Sequence, residues 1–265
     1  MKVKMIITLI FLIINVGFAF SGDKNPNAKK YTGFIIGLSF THVKEKVLNN
    51  IRHKGTFFPS PITFIYENVK INSVQVFEFN IHFTGLKSRY DPDVSSLMIH
   101  PDINYRYLWK INKTDEKLDL YLGGITGLNM HLGWYDNWDD SHLYWLTSYY
   151  IGADGRLHYE LTKKSSFYLD LHFPVISLVS RPPERFLYKG VNPEFGWMIS
   201  ELHDNLRLTT LHQHFTMNLD LAYELYYSEK SKLRIFWRLY YLNNKMNYSK
   251  NLRVISNVIG AGLLF

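Results

Sequence analysis

Apolar and polar residues alternate one by one along the stretch from about Ser73 to Ile111. In its first half, four apolar residues are each separated by one polar residue: Phe77, Phe79, Ile81 and Phe83. After a polar break, the alternation resumes and continues through residues 99–111. A period of two is that of a β-strand, in which successive side chains point to opposite faces. The stretch therefore predicts two strands, each with one apolar, aromatic face and one charged face.

The same pattern along the rest of the chain predicts an all-β protein of about ten antiparallel strands. The strands are expected at about residues 31–42, 62–69, 73–86, 97–111, 118–133, 143–161, 166–178, 212–227, 233–242 and 252–265. The connections after even-numbered strands are short, and those after odd-numbered strands are longer on the whole. Twelve strands remain an alternative if the first long connection or residues 180–211 contain a hairpin.

Two architectures fit strands with one apolar and one charged face. A soluble sandwich would pack the apolar faces against each other, whereas a barrel in lipid turns them outward and encloses the polar faces. Short turns at one end and long loops at the other are typical of the barrel and have no reason to occur in a sandwich. The sequence therefore predicts a single antiparallel transmembrane β-barrel over residues 31–265.

Composition narrows the possible sites. The chain has 265 residues and 16% aromatic residues, and its mean hydropathy of -0.14 argues against a bundle of apolar helices. It contains no cysteine, which excludes disulfides, thiolate nucleophiles and cysteine-ligated zinc.

The N-terminus predicts export. Lys2 and Lys4 precede the apolar run Ile6–Val16, and small residues follow, which is the order of a secretory signal peptide. We assign residues 1–21 to the signal peptide and residues 22–30 to a periplasmic lead-in. Removing residues 1–21 lowers the formal charge from +7 to +5, because two lysines and no acidic residue are lost. This mild excess favours contact with anionic headgroups or polysaccharide over nucleic acid.

With these features, the mature chain resembles the bacterial outer-membrane β-barrel family over essentially its whole length. The resemblance rests on the signal peptide, the alternating strands and the last segment, which ends on Phe265. It implies residence in the cell outer membrane, contact with its lipid and lipopolysaccharide, and Phe265 as the signal for the barrel-assembly machinery. The oligomeric state is not predicted.

A barrel of this kind would collect the polar faces in its lumen. The expected lumen network consists of Glu78, His82, His100, Asp102, Arg106, Asp119, His131, Asp154, Arg156, His158, Glu160, Asp170, His172, Asp220, Glu224, Arg234 and Arg238. Both signs are abundant, and buried charges must pair because an isolated one is very costly. A ten-stranded barrel is close to the size that side chains still fill. We therefore expect a charge-lined, largely filled lumen, with a narrow pore for small solutes as the alternative.

Acidic and histidine residues in the long connections suggest an enzymatic alternative. Asp139 and Asp140 follow the fifth strand, and His203 and Asp204 lie in the connection after the seventh. A carboxylate pair facing a His–Asp pair could activate water, with the histidine as general base. These few positions are similar to the omptin proteases, which implies a surface hydrolase with these four residues as its catalytic set. A solvated acidic loop is the alternative, and we favour a non-enzymatic structural or adhesive role.

One pair of histidines has a spacing that could chelate a metal. His212 and His214 are two residues apart and would share one face of a strand. No third ligand is evident nearby except His203, so we favour the interpretation that these are two histidines at a polar rim without a metal. No cofactor is predicted.

Overall fold

The computed structural model describes residues 28–46, 52–88, 95–112, 117–135, 141–181, 186–188, 202–203, 205–246 and 251–265. Thirteen strands lie in these ranges: β1 (Lys29–Glu45), β2 (Arg52–Phe57), β3 (Ile62–Val69), β4 (Ser73–Ser88), β5 (Ser95–Lys110), β6 (Leu118–Tyr135), β7 (Ser141–Thr162), β8 (Ser165–Ser180), β9 (Phe186–Tyr188), β10 (Arg207–Thr210), β11 (His214–Ser228), β12 (Ser231–Asn244) and β13 (Leu252–Leu264). In this part of the chain, no helix is long and apolar enough to cross a membrane.

The strands form one closed antiparallel ring. Pairing runs from β1 through β2 and β3 to β4, then through β5, β6, β7, β8, β11, β12 and β13, and β13 pairs with β1. β2 and β3 occupy the same position in this ring, since both pair with β1 on one side and β4 on the other. β9 pairs with β7 beyond the end of β8, and β10 pairs with β8 beyond the end of β11. The ring therefore has ten positions, and the predicted single antiparallel barrel is confirmed.

Three short strands correct the predicted boundaries. The segment between the first two predicted strands contains β2, and the predicted break at 180–211 contains β9 and β10. None of them adds a position to the ring, because each continues a strand that is already there. Pro59 and Pro61 separate β2 from β3, since proline has no N–H to donate to a ladder. Ser60 N donates to Gly37 O at 2.8 Å, which keeps this interruption attached to β1.

The outer and inner walls differ sharply in chemistry. Apolar side chains such as Phe34 (61% exposed), Leu122 (55%) and Ile259 (55%) face outward, whereas Arg106 (2%) and Asp170 (1%) face the interior. A soluble β-protein would show the reverse. This is the arrangement of a barrel whose outer wall contacts hydrocarbon.

The two ends of the barrel also differ. At one end, here called the turn end, the strands are joined by the tight turns 70–72, 163–164 and 229–230, and both termini of the barrel lie there. Thr32 N donates to Phe265 O at 2.7 Å, and Phe265 N donates to Thr32 O at 2.9 Å. At the other end, here called the loop end, the longer connections begin.

Candidate functional site: the barrel lumen

Near the turn end, the lumen holds a cluster of paired charges. Glu67 on β3 accepts hydrogen bonds from Arg156 Nη1 (2.7 Å), Lys232 Nζ (2.6 Å) and Arg234 Nη2 (2.8 Å). Glu224 on β11 accepts from Lys232 Nζ at 3.0 Å and from Arg234 Nε at 2.7 Å. All five side chains are buried. Cations from other strands therefore compensate both carboxylates, as burial requires.

A second cluster fills the middle of the lumen. Arg106 on β5 donates to Glu78 at 3.1 Å and to Asp170 at 2.9 Å. Arg238 on β12 binds Asp220 in bidentate fashion, at 2.7 Å from Nε and 2.6 Å from Nη2. Its Nη1 lies 2.6 Å from Glu78 Oε1. Such paired, charge-assisted bonds are the strongest hydrogen bonds that side chains make.

These bonds cross the interior rather than follow the wall. Arg156 and Glu67 stand on β7 and β3, and Arg238 and Glu78 stand on β12 and β4. In both pairs the strands are four positions apart in a ring where five would be diametrically opposite. Arg156 also donates from Nε to Asp170 at 2.6 Å, which joins the two clusters. The polar interior is thus bridged from wall to wall.

At the loop end, an ion pair and an apolar cluster close the lumen. Arg181 Nη2 lies 2.6 Å and 2.7 Å from the two carboxylate oxygens of Glu45, and both side chains are buried. The apolar cluster consists of Val43, Leu86, Met98, Tyr144, Leu146, Val179, Tyr240, Leu242, Met246, Leu252 and Val254. Apolar packing in a lumen leaves little room for water, so this layer blocks the interior next to the charged layers.

Between the charged and apolar layers lies a stack of histidine rings. The ring centroids of His82 and His100 are 5.0 Å apart, and those of His100 and His131 are 3.9 Å apart. His131 Nε2 and Tyr240 Oη form a hydrogen bond of 2.7 Å. Asn129 Nδ2 lies 2.7 Å from His100 Nε2. All five side chains are buried, so they add a packed polar layer to the filling of the barrel.

Two buried carboxylates are held differently from the rest. Asp102 accepts hydrogen bonds from Asn104 Nδ2 (2.9 Å), Asn129 Nδ2 (3.3 Å) and Tyr150 Oη (3.2 Å), which are all neutral donors. Asp154 Oδ2 lies 3.9 Å from Arg106 Nε, at the outer limit of an ion pair. These two positions are the least compensated carboxylates of the described lumen.

At the turn end, the lumen opens into a cavity of about 260 Å³. Tyr31, Tyr121, Tyr168 and Tyr226 line it beside the Glu67 cluster. Lys232 Nζ lies 4.2 Å from the centroid of the Tyr31 ring, and Tyr226 Oη donates to Glu224 at 2.7 Å. The cavity ends at the charge cluster, so it is a vestibule rather than a passage.

The predicted lumen residues fall into three groups. Fourteen are buried in the interior: Glu78, His82, His100, Asp102, Arg106, His131, Asp154, Arg156, Asp170, His172, Asp220, Glu224, Arg234 and Arg238. Asp119 and His158 are partly buried at the vestibule, with 4.0 Å between Oδ2 and Nδ1. We expected Glu160 to be enclosed, but it is exposed at the same rim, because it lies two residues from the end of β7 at the open vestibule.

Of the predicted catalytic residues, only His203 lies within the described part of the chain. Asp139, Asp140 and Asp204 lie outside it. His203 Nδ1 is 2.9 Å from Tyr149 Oη, and burial lowers the pKa of His203, which favours the neutral imidazole. The structure shows His203 beside a tyrosine, and a neighbouring carboxylate for it stays a prediction.

The predicted histidine pair does not share a strand face. His212 is exposed, whereas His214 is buried and its Nδ1 lies 3.2 Å from Asn244 Nδ2. The reason is that residues 211–213 form a turn between β10 and β11, where strand alternation does not apply. Within the ranges that the structure describes, no group of three histidine or acidic residues could hold a metal ion.

Sequence reasoning missed four buried charges: Glu45, Glu67, Arg181 and Lys232. Glu67 lies on the predicted second strand, two residues after the inward-facing Ile65, and this alternation could have identified it. Lys232 lies just before the predicted strand 233–242, whereas in the structure it is the second residue of β12. Glu45 and Arg181 follow the predicted ends of their strands and give no signal of their own.

Comparison with known proteins finds similar folds only. No family model matches the chain, and no curated protein matches it. Among solved structures, it is similar to Neisserial surface protein A (9% identity, 89% of this chain and 97% of that one, TM-score 0.37). It is also similar to the outer membrane protease OmpT from Escherichia coli (10%, 90% and 95%, TM-score 0.41). A third is the translocator domain of autotransporter NalP from Neisseria meningitidis (6%, 98% and 96%, TM-score 0.43). At these values the likenesses carry no argument about function, and the barrel assignment rests on the ring itself.

Proposed function

We propose that the chain is an integral β-barrel of a bacterial outer membrane, exported by residues 1–21, and that it does not conduct solutes. Its role is structural or adhesive. The apolar outer wall supports the membrane location, because exposed apolar side chains on this scale are unfavourable in water. The observation that carries the non-conducting role is the set of ion pairs that cross the lumen.

Three levels of the lumen contain such a crossing. Arg156–Glu67 lies near the turn end, Arg238–Glu78 in the middle, and Arg181–Glu45 at the loop end. A solute would have to displace at least one buried pair at each level, which is unfavourable because the separated charges stay buried without a partner. The apolar cluster at the loop end adds a barrier that offers no hydrogen bonds to water. A filled lumen is therefore the state that these contacts favour.

Planar-bilayer recording tests this proposal. The full chain, purified from membranes, should insert and give no discrete conductance steps. Folding is verified in the same preparation by the difference in gel mobility between the unheated and the heat-denatured barrel, and insertion is verified by resistance to carbonate extraction. Discrete steps from correctly inserted protein would contradict the proposal and support the narrow pore. Loss of the protein in the carbonate wash would contradict the membrane location.

The hydrolase alternative has no contact in its favour among the described residues. It needs carboxylates close to His203, and the partner that the structure shows for this imidazole is the Tyr149 hydroxyl. We therefore retain the non-enzymatic role and treat peptide cleavage as a separate test.

A further inference from the structure

Cationic side chains gather on the outer wall at the loop end of four adjacent strands, β13, β1, β2 and β4. This cationic wall patch consists of Lys44, Arg52, Lys54, Lys87 and Arg253. One row across the strands contains Arg253, Lys44 and Arg52 as directly opposed residues. The next row contains His42, Lys54 and Lys87, also directly opposed. The patch is therefore a two-row array built by strand register and not a charge run along the sequence.

All members of the patch point away from the lumen. The residues between them in sequence, such as Val43 and His53, are buried at 1% exposure and face inward. Among the described residues at this level of the four strands, the acidic residue is Glu45, which faces inward and binds Arg181. Within the described residues, none of the five cations of the patch forms an ion pair. No described acidic residue therefore compensates their charge on the wall.

Opposed like charges on neighbouring strands are destabilising. Directly opposed residues have Cβ atoms about 4.5–5.5 Å apart, so each row places cations at close range. Such an array fits a ligand with several negative charges at similar spacing. Phosphate groups suit it best, because lysine and arginine bind phosphate through charge-assisted hydrogen bonds, and arginine binds it in bidentate fashion.

The surroundings of the patch indicate where the phosphate comes from. Phe40, four residues from the patch member Lys44 along β1, is exposed on the outer wall, as are Ile36 and Phe34 further along the same face of the strand. The patch therefore lies at the boundary between the apolar wall and water. A ligand that combines phosphates with acyl chains would contact both surfaces, whereas a soluble polyanion would contact only the patch.

We propose that the cationic wall patch binds the phosphate groups of an acylated, phosphorylated glycolipid in the surrounding leaflet, with its acyl chains against the apolar wall. This rests on the proposed membrane location but not on the closed lumen. The turn end supplies the contrast, because its exposed lysines Lys163, Lys164 and Lys230 lie in two tight turns and are not opposed across strands.

The test compares two variants of equal charge change in the purified full-length barrel. Lys44, Lys54 and Lys87 become glutamine in the first variant, and Lys163, Lys164 and Lys230 become glutamine in the second. Binding of bis-phosphorylated lipid A and of dephosphorylated lipid A is measured in detergent by native mass spectrometry. A lysine close to an anionic surface contributes about a fivefold factor. We therefore expect at least tenfold weaker binding of the phosphorylated form in the first variant and a change of less than twofold in the second.

Several outcomes would overturn this assignment. Equal weakening in both variants would mean a general charge effect, and equal affinity for both forms of lipid A would mean that phosphate is not recognised. Full competition by inorganic polyphosphate, with no additional affinity from acyl chains, would indicate a soluble polyanion instead. Carbonate extraction reports on the membrane location independently, so its failure and the failure of the patch are distinguishable.

Discussion

Arg238 offers the sharpest test of the lumen, because one substitution leaves two carboxylates without a major partner. The Arg238→Met variant keeps an unbranched apolar stem and removes the guanidinium group with its charge. It deletes two hydrogen bonds to Asp220 and one contact of 2.6 Å to Glu78. Glu78 retains Arg106 at 3.1 Å and Asn80 Nδ2 at 2.6 Å. Asp220, in contrast, loses the cation that compensates it in the described lumen.

The magnitude follows from this imbalance. Removing one partner of a buried pair costs about 3–5 kcal/mol, since the remaining charge stays buried. We therefore expect Arg238→Met to lower the free energy of unfolding by about 3–5 kcal/mol. Adding Asp220→Asn should recover roughly half of the loss, because it replaces the stranded charge with a neutral amide. The two sites are in contact, so their effects should not be additive.

Urea unfolding in lipid vesicles measures these differences through the fluorescence of outward-facing tryptophans such as Trp109 and Trp134. The matched control is Lys110→Met, which breaks the partly exposed pair of Lys110 with Asp119. That pair should contribute no more than about 1 kcal/mol. If Arg238→Met lost no more stability than Lys110→Met, the network would not be the contact that holds the lumen closed.

Two further predictions concern single positions. A Cβ added at Gly133 would lie 1.7 Å from the ring of Tyr144, whereas one added at Gly85 meets nothing within 4 Å. In vesicle unfolding, Gly133→Ala should therefore lower the free energy of unfolding by about 1–3 kcal/mol, whereas Gly85→Ala should leave it nearly unchanged. A larger loss in Gly85→Ala than in Gly133→Ala would contradict the close packing of Tyr144 against Gly133. In a fluorogenic peptide assay, the cleavage rates of His203→Ala and of the wild type should both equal the background rate. Cleavage by the wild type that is absent from the variant would favour the hydrolase.

The period of two was enough to predict the barrel because a strand has only two faces. The stretch through β4 and β5 shows this most clearly, since its aromatic positions are on the outer wall and Glu78, Asp102 and Arg106 are inside. β2 was missed because its outward positions are lysine and arginine, not apolar residues. A strand that rises above the apolar region of a membrane loses the apolar signal on its outer face, so periodicity alone assigns it to a loop.

The interior was less predictable than the wall. Alternation identifies an inward face but not the residues that meet across the lumen, since partners such as Arg156 and Glu67 are 89 positions apart in sequence. The apolar layer at the loop end was also missed. Leu86 and Leu242 share the inward face with charged residues of the same strands, and a single strand does not show that they pack together. Closure of the lumen depends on contacts between side chains of many strands, so the pattern of one strand does not predict it.

The positively charged side chains fall into two groups that differ in how their charge is compensated. In the lumen, Arg106, Arg156 and Arg238 each lie within 3.1 Å of a carboxylate from another strand. On the outer wall, Lys44 and Arg52 oppose each other with no acidic residue on that face of their strands. If solubility alone required surface charge, mixed signs would serve equally well and would avoid the repulsion across the strands. Directly opposed positive charges without acidic neighbours are instead expected where an anion from outside the chain compensates them.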